Sequence, residues 1–201
     1  SPFLNGYSLI TKEADGSKFS YFINKSGKKA GDEYMDALPF QGGLAPVVQE
    51  NQPIKVINDN FDVAFEVVNA EGKPFLKCKG FHEGYAPVLG YNNKWGYINS
   101  EGEVAIEPQF HKCSHFNDGY ASVVLKDTTL EYSRGIIDKK GNYAIEPTDD
   151  YTFLGMPKNG MIRFEEDDEW GFLDYKGEEV IDNDFDMVTP FVNGLASFKD
   201  H

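Results

Sequence analysis

The 201 residues predict an all-β repeat protein, on three observations. A strand motif of the form Phe-x-x-Gly recurs along the whole chain, an Asn/Asp-to-glycine turn precedes most copies, and apolar residues of alternating size hold constant offsets from the motif glycine. Self-similarity at a fixed period marks a repeat architecture, and scattered glycines and prolines mark many turns between short strands.

Taken in chain order, the motif opens at Phe3-x-x-Gly6-Tyr7-Ser8, which makes residues 1–10 the expected remnant of a preceding repeat. It returns as Phe40-x-x-Gly43-Leu44-Ala45, Phe81-x-x-Gly84-Tyr85-Ala86 and Phe116-x-x-Gly119-Tyr120-Ala121, then weakly with Pro157, Gly160 and Met161, and finally as Phe191-x-x-Gly194-Leu195-Ala196. The six copies lie 34 to 41 residues apart. Nine residues before the glycine stands an aromatic (Tyr34, Phe75, Phe110, Tyr151, Phe185), and six before it a smaller apolar group (Ala37, Cys78, Cys113, Leu154, Val188). Four after it stands Val47, Val88, Val123, Phe164 or Phe198. Large, small and large apolar groups at fixed spacing let stacked units interdigitate in a shared core.

A hairpin is expected ahead of each motif. YFINKSG, EVVNAEG, GYINSEG, GIIDKKG and GFLDYKG end at Gly27, Gly72, Gly102, Gly141 and Gly177, with Asn24, Asn69, Asn99, Asp138 and Asp174 three residues earlier. Asn and Asp start turns by bonding their own backbone, and glycine takes the φ > 0 position. VAIEP and EEVID read as return strands, the proline ending or bending the pairing. The chain is thus read as one repeat domain, 1–201, with units at about 18–48, 62–89, 93–125, 132–164 and 168–199. Residues 49–61, QENQPIKVINDNF, read as an inserted loop.

Trp95-Gly96 opens the third hairpin and recurs as Trp170-Gly171; the fourth unit has Arg134-Gly135, and the first two are read as decayed to Ser20-Tyr21 and Phe65-Glu66. Such a pair marks a structural register, a ring to pack and a glycine where another backbone approaches. NKWGYINSEGEVAIEPQFHKCSHFNDGYASV (93–123) and DEWGFLDYKGEEVIDNDFDMVTPFVNGLASF (168–198) resemble the bacterial WG-repeat family, whose units run roughly WGYIDKxGKxxIxPxYDxxxxFxxGLAxV. The resemblance extends in weaker form over nearly the whole chain. It implies a β-repeat scaffold and supplies no catalytic residues. Six motif strands against five hairpins favour an open elongated or curved array of hairpin-plus-strand units, with a closed, β-propeller-like arrangement as the alternative. Both ends fall at the same phase of the repeat, as expected of a segment from a longer array.

Composition narrows the function classes. A net charge of −14 and pI near 4.6 repel a nucleic-acid backbone and an anionic membrane surface. No run of about 18 apolar residues is present, so no membrane span is expected, and no basic, apolar leader opens these residues. The sequence does not identify the compartment; a cell-envelope or extracytoplasmic setting is favoured over a cytoplasmic one.

Candidate chemistry is sparse. His111, Cys113 and His115 alternate, so an extended segment would align three metal-capable side chains, with His82 on the corresponding strand of the preceding unit. The repeat frame assigns Cys113 to the core, and the expectation is that no metal or other cofactor is bound. Cys78 and Cys113 share one repeat position, where stacked neighbours could pair them or bury both as small hydrophobes. Glu165-Glu166-Asp167-Asp168-Glu169 and Asp182-Asn183-Asp184-Phe185-Asp186 read as solvated loops, and Glu107 and Glu146 follow the repeat. Asn24-Lys25-Ser26 is a formal glycosylation sequon lying on a repeated turn. The residues singled out as repeat-defining are Phe40, Phe81, Phe116, Phe191, Gly43, Gly84, Gly119, Gly160, Gly194 and the two Trp-Gly pairs. A noncatalytic binding or scaffold module presenting an extended surface to a protein or glycan is the expected function, with self-association through repeat ends as a further expectation. A hydrolase with a cleft across neighbouring units is the competing reading, and the off-pattern Arg134, Pro157 and Arg163 of the fourth unit are where it would be sought.

Overall fold

A computed structural model describes residues 1–14, 16–127 and 131–199. These residues form strands and turns and no helix, in six separate antiparallel sheets, none closed on itself. The first sheet pairs β1 (Tyr7–Ala14), β2 (Ser17–Asn24) and β3 (Lys29–Tyr34). The second is β4 (Asp36–Ala37), β5 (Leu44–Val48), β6 (Lys55–Asn58) and β7 (Val63–Glu66); the third is β8 (Lys77–Cys78), β9 (Tyr85–Leu89), β10 (Trp95–Asn99) and β11 (Val104–Phe110). The fourth joins β12 (Lys112–Cys113), β13 (Tyr120–Lys126), β14 (Tyr132–Asp138) and β15 (Tyr143–Thr148). The fifth joins β16 (Phe153–Leu154), β17 (Ile162–Glu166), β18 (Glu169–Leu173) and β19 (Glu179–Phe185), and the sixth has only β20 (Met187–Val188) and β21 (Phe198–Lys199). The chain divides into two compact units, Ser1–Pro108 and Gln109–His201.

Each complete sheet is a meander in which the motif strand pairs with the hairpin that follows it. β9 with β10 (Val88 opposite Gly96) and β17 with β18 (Phe164 opposite Gly171) show the register. The first strand obeys the same rule: residues 7–14 lie along β2 from Tyr7↔Asn24 to Ala14↔Ser17 and form the first sheet's own motif strand.

The Phe-x-x-Gly motif is a tight turn. The residue before the glycine and the glycine itself both have φ > 0, as in Asn5-Gly6, Gly42-Gly43, Glu83-Gly84, Asp118-Gly119, Asn159-Gly160 and Asn193-Gly194. Two consecutive positive φ values define a type I′ turn, whose twist matches that of strands. The flanking residues bridge, for example Asn117↔Tyr120 and Lys158↔Met161. The phenylalanine that opens the motif is buried at Phe40, Phe81 and Phe116.

The hairpin turns are equally regular. Asn24 Oδ1 accepts from the N–H groups of Ser26 and Lys28, both at 3.0 Å, while the Gly27 N–H donates to the Asn24 carbonyl at 2.9 Å. Asn99, Asp138 and Asp174 repeat the arrangement.

The second sheet departs from the expected layout. Residues 49–61 are not an irregular insertion: they contain β6, and Asn58 builds the hairpin turn by accepting from Asn60 and Asp62, both at 3.0 Å. The glycine place of that turn is held by Phe61 at φ 67°. Asn69–Gly72, the turn expected from its glycine, forms an additional small turn with Val68 bridged to Pro74. Phe65-Glu66 consequently lies in the return strand β7, and Ile54-Lys55 occupies the place of the Trp-Gly pair.

The cores lie between successive sheets within each unit. In the first unit one cluster joins Phe22 and Tyr34 to Phe40, Val47 and Ile57, and a second joins Val56 and Val67 to Phe81, Val88 and Ile98. In the second unit Ile136 and Ile145 pack with Leu154, Ile162, Phe164 and Leu173. The large-small-large frame supplies much of this core, each fully buried phenylalanine contributing about 1.5–3 kcal/mol. Phe198 is the exception: its counterparts Val47, Val88, Val123 and Phe164 are at most 1% exposed, yet it is 63% exposed on the two-stranded sixth sheet.

Candidate functional site

The Trp-Gly pair belongs to this framework. A Cβ on Gly96 would overlap the Ile106 carbonyl and come within 2.7 Å of the Pro108 nitrogen; one on Gly171 would lie 2.6 Å from the Ile181 carbonyl. The return strand bulges toward the glycine at that point, with register shifts around Phe172 and, in the fourth sheet, around Ile136. Glycine is needed because backbone occupies the space of a side chain. The tryptophan rings are half-buried and faced by cations, Lys79 Nζ at 4.4 Å from the Trp95 centroid and the Arg163 guanidinium at 5.5 Å from that of Trp170. Where a turn glycine is overlaid, a ring or branched side chain of the preceding sheet covers it: Phe65 lies over Gly102 and Ile145 over Gly177.

His111, Cys113 and His115 do not form one extended face. The chain bends at His111, Cys113 sits buried on β12 opposite Val123, and His115 follows beyond the strand. The His111 ring packs at 5.3 Å from Tyr132. Among the described residues no three His, Cys, Asp or Glu side chains converge as a metal-ion site. Cys78 and Cys113 are both thiols, and burial pushes that of Cys78 up to about 12.

The acidic run 165–169 is a hairpin tip: Asp167 and Asp168 have φ 52° and 67°, with Glu166 opposite Glu169. Desolvation, then the nearby charges of Asp150, Asp167 and Glu179, hold the Glu166 carboxyl above its ordinary range. The sequon asparagine, Asn24, is engaged in its own turn.

The second unit contains a polar connection that repeat reading missed. Asp118 Oδ2 accepts from the Asn159 N–H at 2.6 Å and from the Tyr175 hydroxyl at 2.7 Å, and that hydroxyl accepts from the Gly160 N–H at 2.9 Å. Asn117 and Asn159 donate to the carbonyls of Pro157 and Phe191 at 2.8 and 3.0 Å, so successive tight turns are tied together. Asn and Asp were visible beside the glycines as residues that tolerate φ > 0, although the partners they reach lie 32 to 57 residues away.

Two hollows are lined by a mixture of repeat residues, such as Phe75, Glu107 and Phe191, and residues outside the repeat frame, such as Tyr91 and Arg163. In the first unit, one of about 280 Å³ lies among Asn69, Lys73, Phe75, Tyr91, Asn92 and Glu107. Asn92 is engaged with Pro108 and Lys94, and Lys73 is paired with Glu71 at 2.9 Å. Tyr91 stands 65% exposed at its edge. In the second unit, a hollow of about 190 Å³ is lined by Met156, Lys158, Met161, Arg163, Phe172 and the Pro190–Phe191 segment. Of the off-pattern residues, Arg163 lines this hollow and Pro157 lies between two of its lining residues, whereas Arg134 donates to the Tyr151 carbonyl at 2.8 Å.

Comparison with known proteins fits this geometry. The chain is an all-β repeat protein built from small antiparallel meanders. The model of the WG-containing repeat matches residues 95–128, 135–170 and 170–200, and the chain belongs to that family. No curated protein matches it in sequence. Among solved structures, "YCF48 bound to D1 peptide" aligns with TM-score 0.51 and 10% identity over 98% of this chain and 72% of the other. "KlHsv2 with loop 6CD replaced by a Gly-Ser linker" aligns with TM-score 0.50 and 10% identity over 86% of this chain and 62% of the other. The neighbours are propeller-like β proteins, a likeness of fold alone.

Proposed function

We propose that the chain is a noncatalytic binding module that presents its ridged surface to a protein or glycan partner. The observation that carries this reading is Tyr91. The motif phenylalanines Phe40, Phe81 and Phe116 and the hairpin glycines are occupied by turns and core, whereas this ring stands 65% exposed beside a hollow. A ring with an apolar face and a hydroxyl suits contact with either partner class. Hydrogen-bonding groups beside it, notably the Glu107 carboxylate, would set specificity at modest cost in desolvation.

The test immobilises the full chain and its Tyr91→Ala variant and exposes both to a soluble glycan panel and a bacterial lysate. A ligand retained by the parent and lost at least tenfold by the variant is expected. Equal retention by both, or turnover of ester or glycoside substrates by the parent, would overturn the reading.

A further inference from the structure

The hollow of the second unit is basic on a chain of net charge −14. Its lining carries two cations, Lys158 and Arg163, and no carboxylate among the described residues. Arg163 occupies the place of Pro46, Pro87 and Ser122 in the preceding sheets, so no repeat requirement explains a cation there.

The guanidinium is held in position. Nη1 donates to the Val188 carbonyl at 2.9 Å, and the group lies 5.5 Å from the ring centroids of both Phe153 and Trp170. Guanidinium carries five N–H donors in a planar fork, and the Val188 contact uses one side of it. Among the described residues no carboxylate pairs with Arg163; Glu165, on the same strand face, accepts instead from Thr152 Oγ1 at 3.0 Å. Burial holds the guanidinium below its ordinary range without making it neutral at any working pH. A partly desolvated cation with unspent donors favours a planar anion able to accept two parallel bonds.

The remaining walls are apolar. Phe172, directly opposite Arg163 across the β17–β18 pair, meets the Phe191 ring at 4.8 Å. Phe40, Phe81 and Phe116 are at most 2% exposed, whereas Phe191 is half-buried and borders the hollow together with Met156 and Met161. Methionines adapt their shape to an incoming apolar group. The volume corresponds to roughly six waters at about 30 Å³ each, room for one side chain or a short acyl or aryl group.

We propose that this hollow binds a carboxylate carried on an apolar group, with Arg163 gripping the carboxylate, Lys158 adding a second positive charge, and Met156, Met161, Phe172 and Phe191 enclosing the apolar part. The proposal deepens the reading of the chain as a binding module. The same chemistry has two sources, the free C-terminus of a polypeptide ending in an apolar residue and a small apolar carboxylic acid.

The test is calorimetric titration of the full chain with 4-phenylbutyrate, its neutral amide, and a hexapeptide ending in leucine with a free or an amidated terminus. Each acid form should bind at least tenfold more tightly than its amide. Arg163→Gln should abolish that preference, and Lys158→Glu, a change at a partly exposed position, should weaken acid binding severalfold while leaving the melting temperature within about a degree. A free peptide tighter than 4-phenylbutyrate supports a polypeptide terminus; the reverse order supports a small acid. Acid and amide binding alike, no binding by any probe, or an acid preference that survives both variants would overturn the proposal. Ligand capture through Tyr91 would still stand in those cases, which separates failure of this site from failure of the broader function.

Discussion

Phe61→Gly sets two effects against each other. Phe61 is a bulky residue at φ 67° where the other hairpins place glycine, a conformation that costs an L-residue about 1–2 kcal/mol. Glycine would relieve this strain but recover only part of it, because its extra freedom in the unfolded chain costs about 0.5–1 kcal/mol. On the other side stands the ring. It lies 4.9 Å from Tyr7 and 5.7 Å from both Phe22 and Phe40, all near edge-to-face, and it fills the space over Gly31 where a Cβ would overlap it. Full truncation of a buried phenylalanine costs about 3–5 kcal/mol. Phe61 is half-buried, so roughly half of that is at stake, with lost ring-edge contacts adding about 0.5–1.5 kcal/mol. Packing wins, and the variant should be less stable by about 2 kcal/mol, a fall in Tm of about 4–8 °C for a chain of this size. Calorimetry of parent and variant reads this directly. Gly31→Ala adds a cross-check: it should destabilise strongly in the parent and distinctly less in the Phe61→Gly background. A variant melting at or above the parent temperature, or strictly additive effects, would refute the packing role of the ring.

Other consequences follow from the polar groups. Tyr175→Phe removes the hydroxyl between Asp118 and the Gly160 N–H and should cost about 1 kcal/mol, read by urea unfolding; an unchanged midpoint would contradict its bridging role. Glu166 has a raised pKa in the folded state, through desolvation and then its acidic neighbours, so folding binds its proton more tightly and stability should rise as pH falls from 7 through that raised pKa. Glu166→Gln should raise Tm at pH 7 and flatten this rise; a variant with the parent profile would contradict the assignment. Backbone bonds from Glu178 hold Asp174 low, and bonds from Asn142 and Lys140 outweigh burial to hold Asp138 low, so their contribution is present above the ordinary aspartate pKa and lost as pH falls through the depressed values. Asp174→Asn should lower Tm at pH 7, with the gap to the parent closing as pH falls through the depressed pKa; a gap that stays constant with pH would contradict the assignment. In a Cys113→Ser background, Cys78 should react with a thiol reagent at pH 8 more slowly than an open cysteine, because desolvation disfavours its thiolate; comparable rates would contradict that reading.

Local, repeated features were legible in the sequence. Asn24, Asn99, Asp138 and Asp174 each start a turn with the glycine three residues later, and the large-small-large offsets find the core at Tyr34, Ala37 and Val47 as at Phe110, Cys113 and Val123. Reading failed where one residue took over another's role. Phe61 holds a φ > 0 site that sequence assigns to glycine, because ring burial against Tyr7, Phe22 and Phe40 outweighs backbone strain, and the hairpin of β6 and β7 was therefore hidden. The tight turns at Asn5-Gly6, Asp118-Gly119 and Asn159-Gly160 are legible from paired residues that tolerate positive φ, a signal beyond the glycine alone. Arg163 was visible as a departure from the frame. Its hollow was not, since Val188 and Phe191 reach it from a different sheet, and no sequence spacing encodes that approach.

The division between repeat residues that build the scaffold and off-repeat residues that stand exposed on it is tested most directly by comparing the melting temperatures of Gly96→Ala and Tyr91→Ala. A Cβ on Gly96 must displace the backbone at Ile106 and Pro108, whereas Tyr91 is 65% exposed. Gly96→Ala is expected to lower Tm by several degrees and Tyr91→Ala to leave it within about a degree, as for surface changes of at most 0.5 kcal/mol. An unchanged Tm for Gly96→Ala, or a large fall for Tyr91→Ala, would contradict that division.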